Sequence, residues 1–309
     1  MPPPPPPSSP PSSAVAWAAR RGSAIRDAAD LDRLAAAAVR SHSPCGDGRM
    51  VWHRWGDPSA PPVLLLHGGA GSWTHWARNL PALLAAGHQV LAPDLPGFGD
   101  SDRPPRGQDA DVLPPFVEAG LRQALGEAAC EVVAFSFGAM VAGLLAAGWP
   151  ARVRRLVLVG APALLSGGLA PLALRAWSPA LPPGEREAVL RHNLQRLMLA
   201  RPEAIDALAL RLHADNLARD RMKLRRLSRT DLLHRTLPAV RCPVHGIWGA
   251  EDALYRGRIG AVAPALAAAP DFRGLVLLPG AGHWAPYEDA PAFDAALAQV
   301  LGLEAMPRA

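Results

Sequence analysis

Lysine and aromatic residues are scarce in this chain, and their scarcity excludes one class of function. Lys223 is the single lysine among 32 basic residues, so the formal net charge of +5 rests almost wholly on arginine. Aromatic residues make up 6% of the chain. Basic stretches interleaved with aromatic side chains, zinc-finger spacings and recognition-helix patterns are absent. We therefore expect no nucleic-acid partner and attribute the basic charge to compositional bias.

Cysteine and long apolar runs are also scarce. The three cysteines, Cys45, Cys130 and Cys242, are widely separated and form no C-x-x-C pair, which argues against a zinc site or a disulfide framework. No apolar run reaches the roughly 18 residues that a membrane span needs. Residues 1–11 lack the basic and apolar regions of a secretory signal. The sequence predicts a soluble, cytoplasmic chain with no membrane partner.

Proline, glycine and the apolar segments suggest how the chain is divided. Half of the residues are hydrophobic, which is enough to bury a sizeable core. Residues 1–13 are rich in proline and serine and predict a disordered tail, and residues 14–40 predict a helical lead-in. Residues 41–163 and 238–309 are assigned to one α/β core. Residues 164–237 contain no convincing strand, and we expect them to form a helical lid.

Short apolar segments alternate with helical segments through both parts of the core. The predicted strands are residues 50–55, 63–66, 90–94, 131–135, 155–159, 244–248 and 275–278. The predicted helices are residues 74–86, 115–125, 137–147, 258–268 and 291–301. This alternation is typical of right-handed βαβ units, so the sequence predicts a doubly wound, mostly parallel sheet.

Ser136 is the candidate nucleophile because it stands between a predicted strand and a predicted helix. A serine that protrudes from such a turn brings the residues two before and two after it into close contact, so both must be small. Here they are Ala134 and Gly138. The helix after the turn directs its positive N-terminus, and the N–H of Phe137, at any oxyanion formed there.

A glycine-rich run, H-G-G-A-G, follows the predicted strand at 63–66 and is the candidate for the second oxyanion donor. Attack on a carbonyl generates a negative oxygen that requires preorganised N–H groups. We assign the donor to the N–H of Gly69, with Ala70 as the alternative. The run lacks the lysine and hydroxyl residue of a phosphate-binding loop. We expect His67 to be structural, with a role as general base as the alternative.

The base and its orienting acid are expected beyond the lid. His283 follows the last predicted strand after a glycine-rich turn, where an imidazole could reach Ser136. Asp252 follows the strand before it and would orient that imidazole; Glu251 is the alternative acid. The order serine, acid, histidine is the one expected of this type of α/β fold. We expect Asp94 to bind its own loop.

The predicted lid contains a dense basic stretch, residues 219–226. A solvated helix face is the favoured interpretation of such a stretch. The alternative is that one of its arginines points inward and binds a carboxylate of the substrate. No H-E-x-x-H pattern or other ligand spacing is present, so neither a metal nor a cofactor is expected.

Taken together, these motifs resemble the α/β-hydrolase superfamily from about residue 51 to the C-terminus. The resemblance rests on H-G-G at 67–69, D-L-P-G-F-G-D-S at 94–101, the turn at Ser136, W-G-A-E-D at 248–252 and G-H-W at 282–284. It implies a serine hydrolase that acts on a small molecule. The sequence leaves open whether the protein forms a homodimer.

Within the superfamily the runs at 67–73 and 283–288 are similar to the hydrolases that cleave C–C bonds in meta-cleavage products, in which a tryptophan also follows the catalytic histidine. Those enzymes usually carry G-N-S-M-G-G where this chain has A-F-S-F-G-A. Phe135 and Phe137 on either side of the serine favour an ester substrate, and we expect Trp284 and Phe135 to line the substrate pocket. A C–C hydrolase and a non-catalytic ligand-binding protein are the alternatives.

Overall fold

An eight-stranded sheet lies at the centre of the computed structural model, which describes residues 25–166 and 172–303. The strands are β1 (Val39–Cys45), β2 (Gly48–Trp55), β3 (Pro62–Leu66), β4 (Gln89–Pro93), β5 (Cys130–Phe135), β6 (Val153–Val159), β7 (Val244–Gly249) and β8 (Phe272–Leu278). Their order across the sheet is β1-β2-β4-β3-β5-β6-β7-β8. β1 and β2 are antiparallel to their neighbours, and all other pairs are parallel. The predicted mostly parallel sheet is confirmed.

Helices connect the strands, and most lie where the sequence predicts them. They are α1 (Ala28–Ala36), α2 (Leu80–Ala85), α3 (Pro114–Leu125), α4 (Phe137–Gly148), α5 (Pro183–Asn193), α6 (Ala207–Ala218), α7 (Leu232–Thr236), α8 (Val262–Leu266), α9 (Ala285–Glu288) and α10 (Ala290–Leu301). The predicted tail at 1–13 and residues 14–24 of the lead-in lie outside the described residues.

Two predicted helices were too long, and one strand was missed. The helix expected at 74–86 is a 3-10 turn, Trp73–Trp76, followed by α2, Leu80–Ala85. Pro81 lies in the first turn of α2, and because proline has no N–H it cannot continue a helix from the preceding turn. The helix expected at 258–268 is likewise a 3-10 turn followed by α8. β1 was not predicted because it is a polar edge strand that contains Pro44.

The central strands are buried on both faces. Val63 and Leu65 of β3 pack on one face with side chains of α1, α2 and α10, whereas Leu64 and Leu66 pack on the other with α3 and α4. All four are fully buried. This arrangement explains why the strand is a continuous apolar run instead of an alternating one.

Among the described residues, the segment between β6 and β7 contains helices and no strand. It contacts the core near the carboxyl ends of the strands. Asn216 of α6 forms a buried hydrogen-bond network with Ser72 and Thr74, and the Met198 carbonyl accepts from the Trp284 N–H at 2.7 Å. The described part of this insertion is thus helical, and the lid at 164–237 remains a prediction.

Two further sequence predictions concern membrane-spanning segments and the state of the cysteines. In the parts of the chain described, no helix combines the length and apolar character required to cross a bilayer. The three cysteines are free and buried, and burial raises the pKa of Cys130 to about 12. These thiols are therefore protonated, packed side chains at neutral pH.

Candidate active site

Four loops meet at the carboxyl ends of β3, β5, β7 and β8. β3 and β5 lie side by side with Leu66 opposite Ala134, so the H-G-G turn and Ser136 emerge next to each other. Asp252 and His283 follow β7 and β8. This edge of a parallel sheet is where open α/β folds bind their ligands.

The backbone at Ser136 adopts a conformation that non-glycine residues rarely take, with φ 50° and ψ −117°. Its N–H donates to the Val159 carbonyl at 2.8 Å, and its half-buried side chain projects from the turn. A Cβ at Gly138 would lie 2.5 Å from the His67 carbonyl oxygen. The close approach of the two turns therefore requires a very small residue at position 138, and the strain is of the type found at functional sites.

Ser136, His283 and Asp252 form a continuous hydrogen-bonded chain. The Ser136 Oγ lies 2.9 Å from Nε2 of His283, and Nδ1 of His283 lies 2.9 Å from Oδ2 of Asp252. The other carboxylate oxygen of Asp252 accepts from the Leu254 N–H at 2.9 Å, which fixes the carboxylate. Asp252 and His283 are 1% and 3% exposed, whereas the alternative acid, Glu251, is exposed. The geometry favours Asp252.

The amides of Gly69 and Phe137 lie on adjacent turns. A Cβ at Gly69 would be 3.5 Å from the Cβ of Phe137. Within the described part of the chain, neither amide donates a hydrogen bond, so both N–H groups are available to a ligand. Ala70, the alternative donor, has a positive φ of 46°.

Two buried histidines shape the H-G-G turn. His67 donates its Nδ1–H to the Gly68 carbonyl at 2.8 Å, and its Nε2 accepts from the Leu95 N–H at 2.9 Å. The Nδ1 of His75 accepts from the Gly68 N–H at 3.2 Å. Burial lowers the pKa of His67 and lowers that of His75 well below the ordinary value. Both rings are therefore neutral, and His67 is engaged within its own loop, as predicted for a structural residue.

Trp284 and Phe135 are fully buried and lie on the His283 side of the candidate site. The ring centroids of Phe135 and His283 are 5.0 Å apart, and the Trp284 indole N–H donates to the His75 carbonyl at 3.0 Å. Trp284 also stacks on Tyr287 at 4.2 Å between centroids. Their contact with a substrate stays a prediction.

Two residues near the triad were missed in the sequence. Gly160, at the end of β6, has a φ of +52°, and a Cβ there would be 3.1 Å from His283 Nδ1 and 3.3 Å from Asp252 Oδ2. The buried carboxylate of Glu288 accepts from the Gly282 N–H at 2.6 Å, from Arg201 N at 2.6 Å and from Ala200 N at 3.1 Å. Gly160 leaves room for the His–Asp pair, and Glu288 joins the histidine loop to the insertion. In the sequence, the one sign that Gly160 could matter was its position directly after a predicted core strand.

One arginine of the basic stretch does turn inward. The Nη1 of Arg225 pairs with both carboxylate oxygens of the buried Asp220, at 2.8 Å and 3.0 Å. Its guanidinium lies 5.2 Å from the ring centre of Phe98 and 5.7 Å from that of Phe137. A Cβ at Gly69 would be 3.5 Å from its Nε. Arg225 thus lies beside the two candidate oxyanion amides, with its charge paired to Asp220.

A group of potential metal ligands also appears that the sequence spacing did not indicate. His53, Asp94 and Asp100 offer ligand atoms within 4.8 Å of one another. The carboxylate of Asp94 accepts from the N–H groups of Trp73 and Asp100, both at 2.9 Å, so it binds its own loop as predicted. Asp100 forms ion pairs with Arg40 and Arg219. These carboxylates are already neutralised or hydrogen-bonded within the protein.

Comparison with known proteins identifies the family to which this fold belongs. The family model described as the alpha/beta hydrolase fold matches residues 61–290. The 2-hydroxy-6-oxononadienedioate/2-hydroxy-6-oxononatrienedioate hydrolase of Cupriavidus pinatubonensis is 29% identical over 263 residues, which cover 79% of this chain and 87% of the relative. Bifunctional epoxide hydrolase 2 of Sus scrofa is 30% identical over 153 residues, which cover 45% of this chain and only 26% of the relative.

Solved structures show the same fold. The esterase RhEst1 from Rhodococcus sp. superposes with a TM-score of 0.69 and 23% identity, covering 86% of this chain and 99% of the esterase. The predicted fold and the predicted assignment to the hydrolases are confirmed by these comparisons.

Proposed function

The chain belongs to the α/β-hydrolase fold family, and from that premise we propose that it hydrolyses a small carboxylic ester or related acyl compound, with Ser136 as nucleophile. The observation that carries the proposal is the hydrogen-bonded chain from Ser136 through His283 to Asp252, with both distances at 2.9 Å. A nucleophile in contact with a base, which is itself held by a buried acid, is the arrangement that activates serine.

Each residue has a role in this scheme. His283 Nε2 takes the proton from the Ser136 hydroxyl as its oxygen bonds to the acyl carbon, and later returns that proton to the leaving group. Asp252 holds Nδ1–H and stabilises the imidazolium that forms. The amides of Gly69 and Phe137 bind the oxyanion, where each such donor contributes about 3–4 kcal/mol to the transition state.

An ester is favoured over a C–C bond by the apolar residues around the serine. Phe135 and Phe137 flank Ser136 and are 1% and 4% exposed. Phe137 packs on Phe98 with ring centroids 5.5 Å apart, so the oxyanion side is lined by aromatic rings and the Arg225 guanidinium. The helical insertion, held against this edge through Asn216, would cover the bound substrate as a lid.

Cleavage of a C–C bond is the second candidate, and one observation favours it. The relative from Cupriavidus pinatubonensis, named as a hydrolase of a 2-hydroxy-6-oxo dienedioate, aligns with 79% of this chain. In that reaction the same serine, histidine and aspartate would act on a ketone carbonyl. A vinylogous diketone therefore belongs in the substrate panel beside esters.

A covalent probe tests the proposal. A fluorophosphonate should add to one serine of the wild-type protein, and peptide mass mapping should place the adduct on Ser136. The S136A variant should stay unlabelled, whereas S59A, which removes an exposed serine in the turn before β3, should label like the wild type. An unlabelled wild type, or equal labelling of S136A, would refute the nucleophile. Rates with p-nitrophenyl esters and a dienone diketone then separate the two candidates.

A further inference from the structure

A cleft of about 520 Å³ opens beside the catalytic histidine. Gly282 and His283 form part of its lining, together with residues of the insertion between 192 and 200 and of the loop after Asp252. A cavity of several hundred Å³ is the size that holds a small molecule or a large part of one. The cleft therefore has room for a substituent of the substrate.

The lining shows on which side of the reaction centre the cleft lies. Of the described residues, those that line it include His283 but neither Ser136 nor the amide-bearing residues Gly69 and Phe137. The acyl carbon must lie between Ser136 and those amides. The leaving group must lie beside His283, since that imidazole gives it a proton. The cleft is thus on the leaving-group side.

The charges on the cleft are predominantly positive. Arg196 of the insertion and Arg256 of the loop after β7 both line it, and Glu251 is its single carboxylate among the described residues. Within the described part of the chain, neither arginine has an ion pair with an acidic group within 4.0 Å or a hydrogen bond from its guanidinium. An arginine without an internal partner is free to pair with an anionic ligand, and its planar fork fits a carboxylate.

The wall that carries Arg196 is held in place. It belongs to a π-helical turn, Leu194–Met198, a rare geometry that is frequent at functional sites. At the end of this turn the Met198 carbonyl accepts from the Trp284 backbone N–H, and the Glu288 carboxylate accepts from the backbone N–H groups of Ala200 and Gly282. The wall and the histidine loop therefore keep a fixed relative position.

We propose that this cleft is the leaving-group subsite and that it selects a leaving group bearing a carboxylate or similar anionic substituent. The inference rests on the proposed function. In the step concerned, the bond between Ser136 Oγ and the acyl carbon forms and the bond from that carbon to the leaving oxygen breaks. The serine proton passes through His283 to that oxygen, so the anionic alcohol or phenol leaves through the cleft, and water then releases the acid.

Two esters with the same acyl group test the proposal. The acetyl ester of 4-hydroxybenzoate carries a carboxylate on the leaving group, and the acetyl ester of 4-hydroxybenzamide is its neutral match. We expect kcat/KM to favour the carboxylate by about fivefold, since exposed ion pairs are each worth up to about 1 kcal/mol. The preference should shrink in 0.5 M salt and should disappear in R196A/R256A.

The control removes two positive charges elsewhere. R154A/R241A alters exposed arginines near the amino ends of β6 and β7, at the opposite edge of the sheet, and should keep the preference. Equal rates for the two esters, or a preference that survives in R196A/R256A, would overturn the subsite while leaving the hydrolase intact. Absence of turnover of either ester, together with an unlabelled Ser136, would overturn the proposed function itself.

Discussion

Substitution of Gly160 by alanine tests the geometry of the triad with a single added methyl group. That methyl would lie 3.1 Å and 3.2 Å from the Nδ1 and Cε1 of His283, and 3.3 Å from Oδ2 of Asp252. These distances are short enough that the imidazole or the carboxylate must move by a few tenths of an ångström. The bond between His283 and Asp252 would be lengthened or tilted as a result.

The G160A substitution should change two quantities, kcat and the free energy of unfolding. A misplacement of about 1 Å costs roughly 100-fold in rate, so a shift of a few tenths of an ångström should lower kcat about fourfold to tenfold. Independently, the positive φ of +52° at this position disfavours any residue with a Cβ, which should lower the free energy of unfolding by about 1–2 kcal/mol.

Gly302 supplies the matched control. It also has a positive φ, +71°, and a Cβ there would have no neighbour within 4 Å. G302A should therefore lose a similar amount of stability without loss of rate. The measurements are urea denaturation and p-nitrophenyl ester hydrolysis for both variants. If G160A and G302A retained the same kcat, contact with the His–Asp pair would not be what position 160 controls.

Three further predictions concern the acid, the buried histidine and the link to the insertion. D252N should lower kcat by about 10³–10⁴-fold, whereas E251Q should leave the rate with a neutral ester unchanged; a reversal would make Glu251 the orienting acid. Because burial lowers the pKa of His75, the unfolded chain binds a proton below pH about 6.5 that the folded chain does not. Stability should fall as the pH drops from there, by up to about 1.4 kcal/mol per pH unit, and denaturation of H75N across pH 5–7 should show a shallower slope; parallel curves would contradict this. E288Q leaves one acceptor oxygen for several N–H donors, and its free energy of unfolding should drop by about 1–3 kcal/mol, with the esterase rate falling too. A fully stable E288Q would show that this carboxylate does not hold the two segments together.

The sheet and the main chemical groups could be predicted because both depend on local patterns. Strands buried on two faces must be apolar throughout, and β3 and β5 are. The serine on a strained turn needs small residues around it, and that requirement is visible in the sequence at Ala134 and Gly138. The acid and the histidine follow apolar strands in the order that the fold requires.

The parts that could not be predicted depend on contacts between distant segments. Gly160 matters only because Asp252 and His283 pack against it, and nothing in its neighbouring residues shows that. The same is true of Glu288, whose partners are Gly282 and the backbone at Ala200. The edge strand β1 was missed for another reason: an edge strand with one buried face tolerates polar residues and proline.

The insertion has contacts on both sides of the proposed reaction centre. On the oxyanion side, Asn216 bonds the residue after the H-G-G-A-G run, and Arg225 lies beside Phe137. On the histidine side, the backbone at Ala200 shares the Glu288 carboxylate with Gly282, and Arg196 lines the cleft. The sheet positions the residues proposed as nucleophile, base and acid, whereas the insertion supplies Arg196 and Arg225 and the loop after β7 supplies Arg256. We therefore expect that mutations in the insertion and in the loop after β7 can change the preferred charge of the substrate, without changes to the proposed triad.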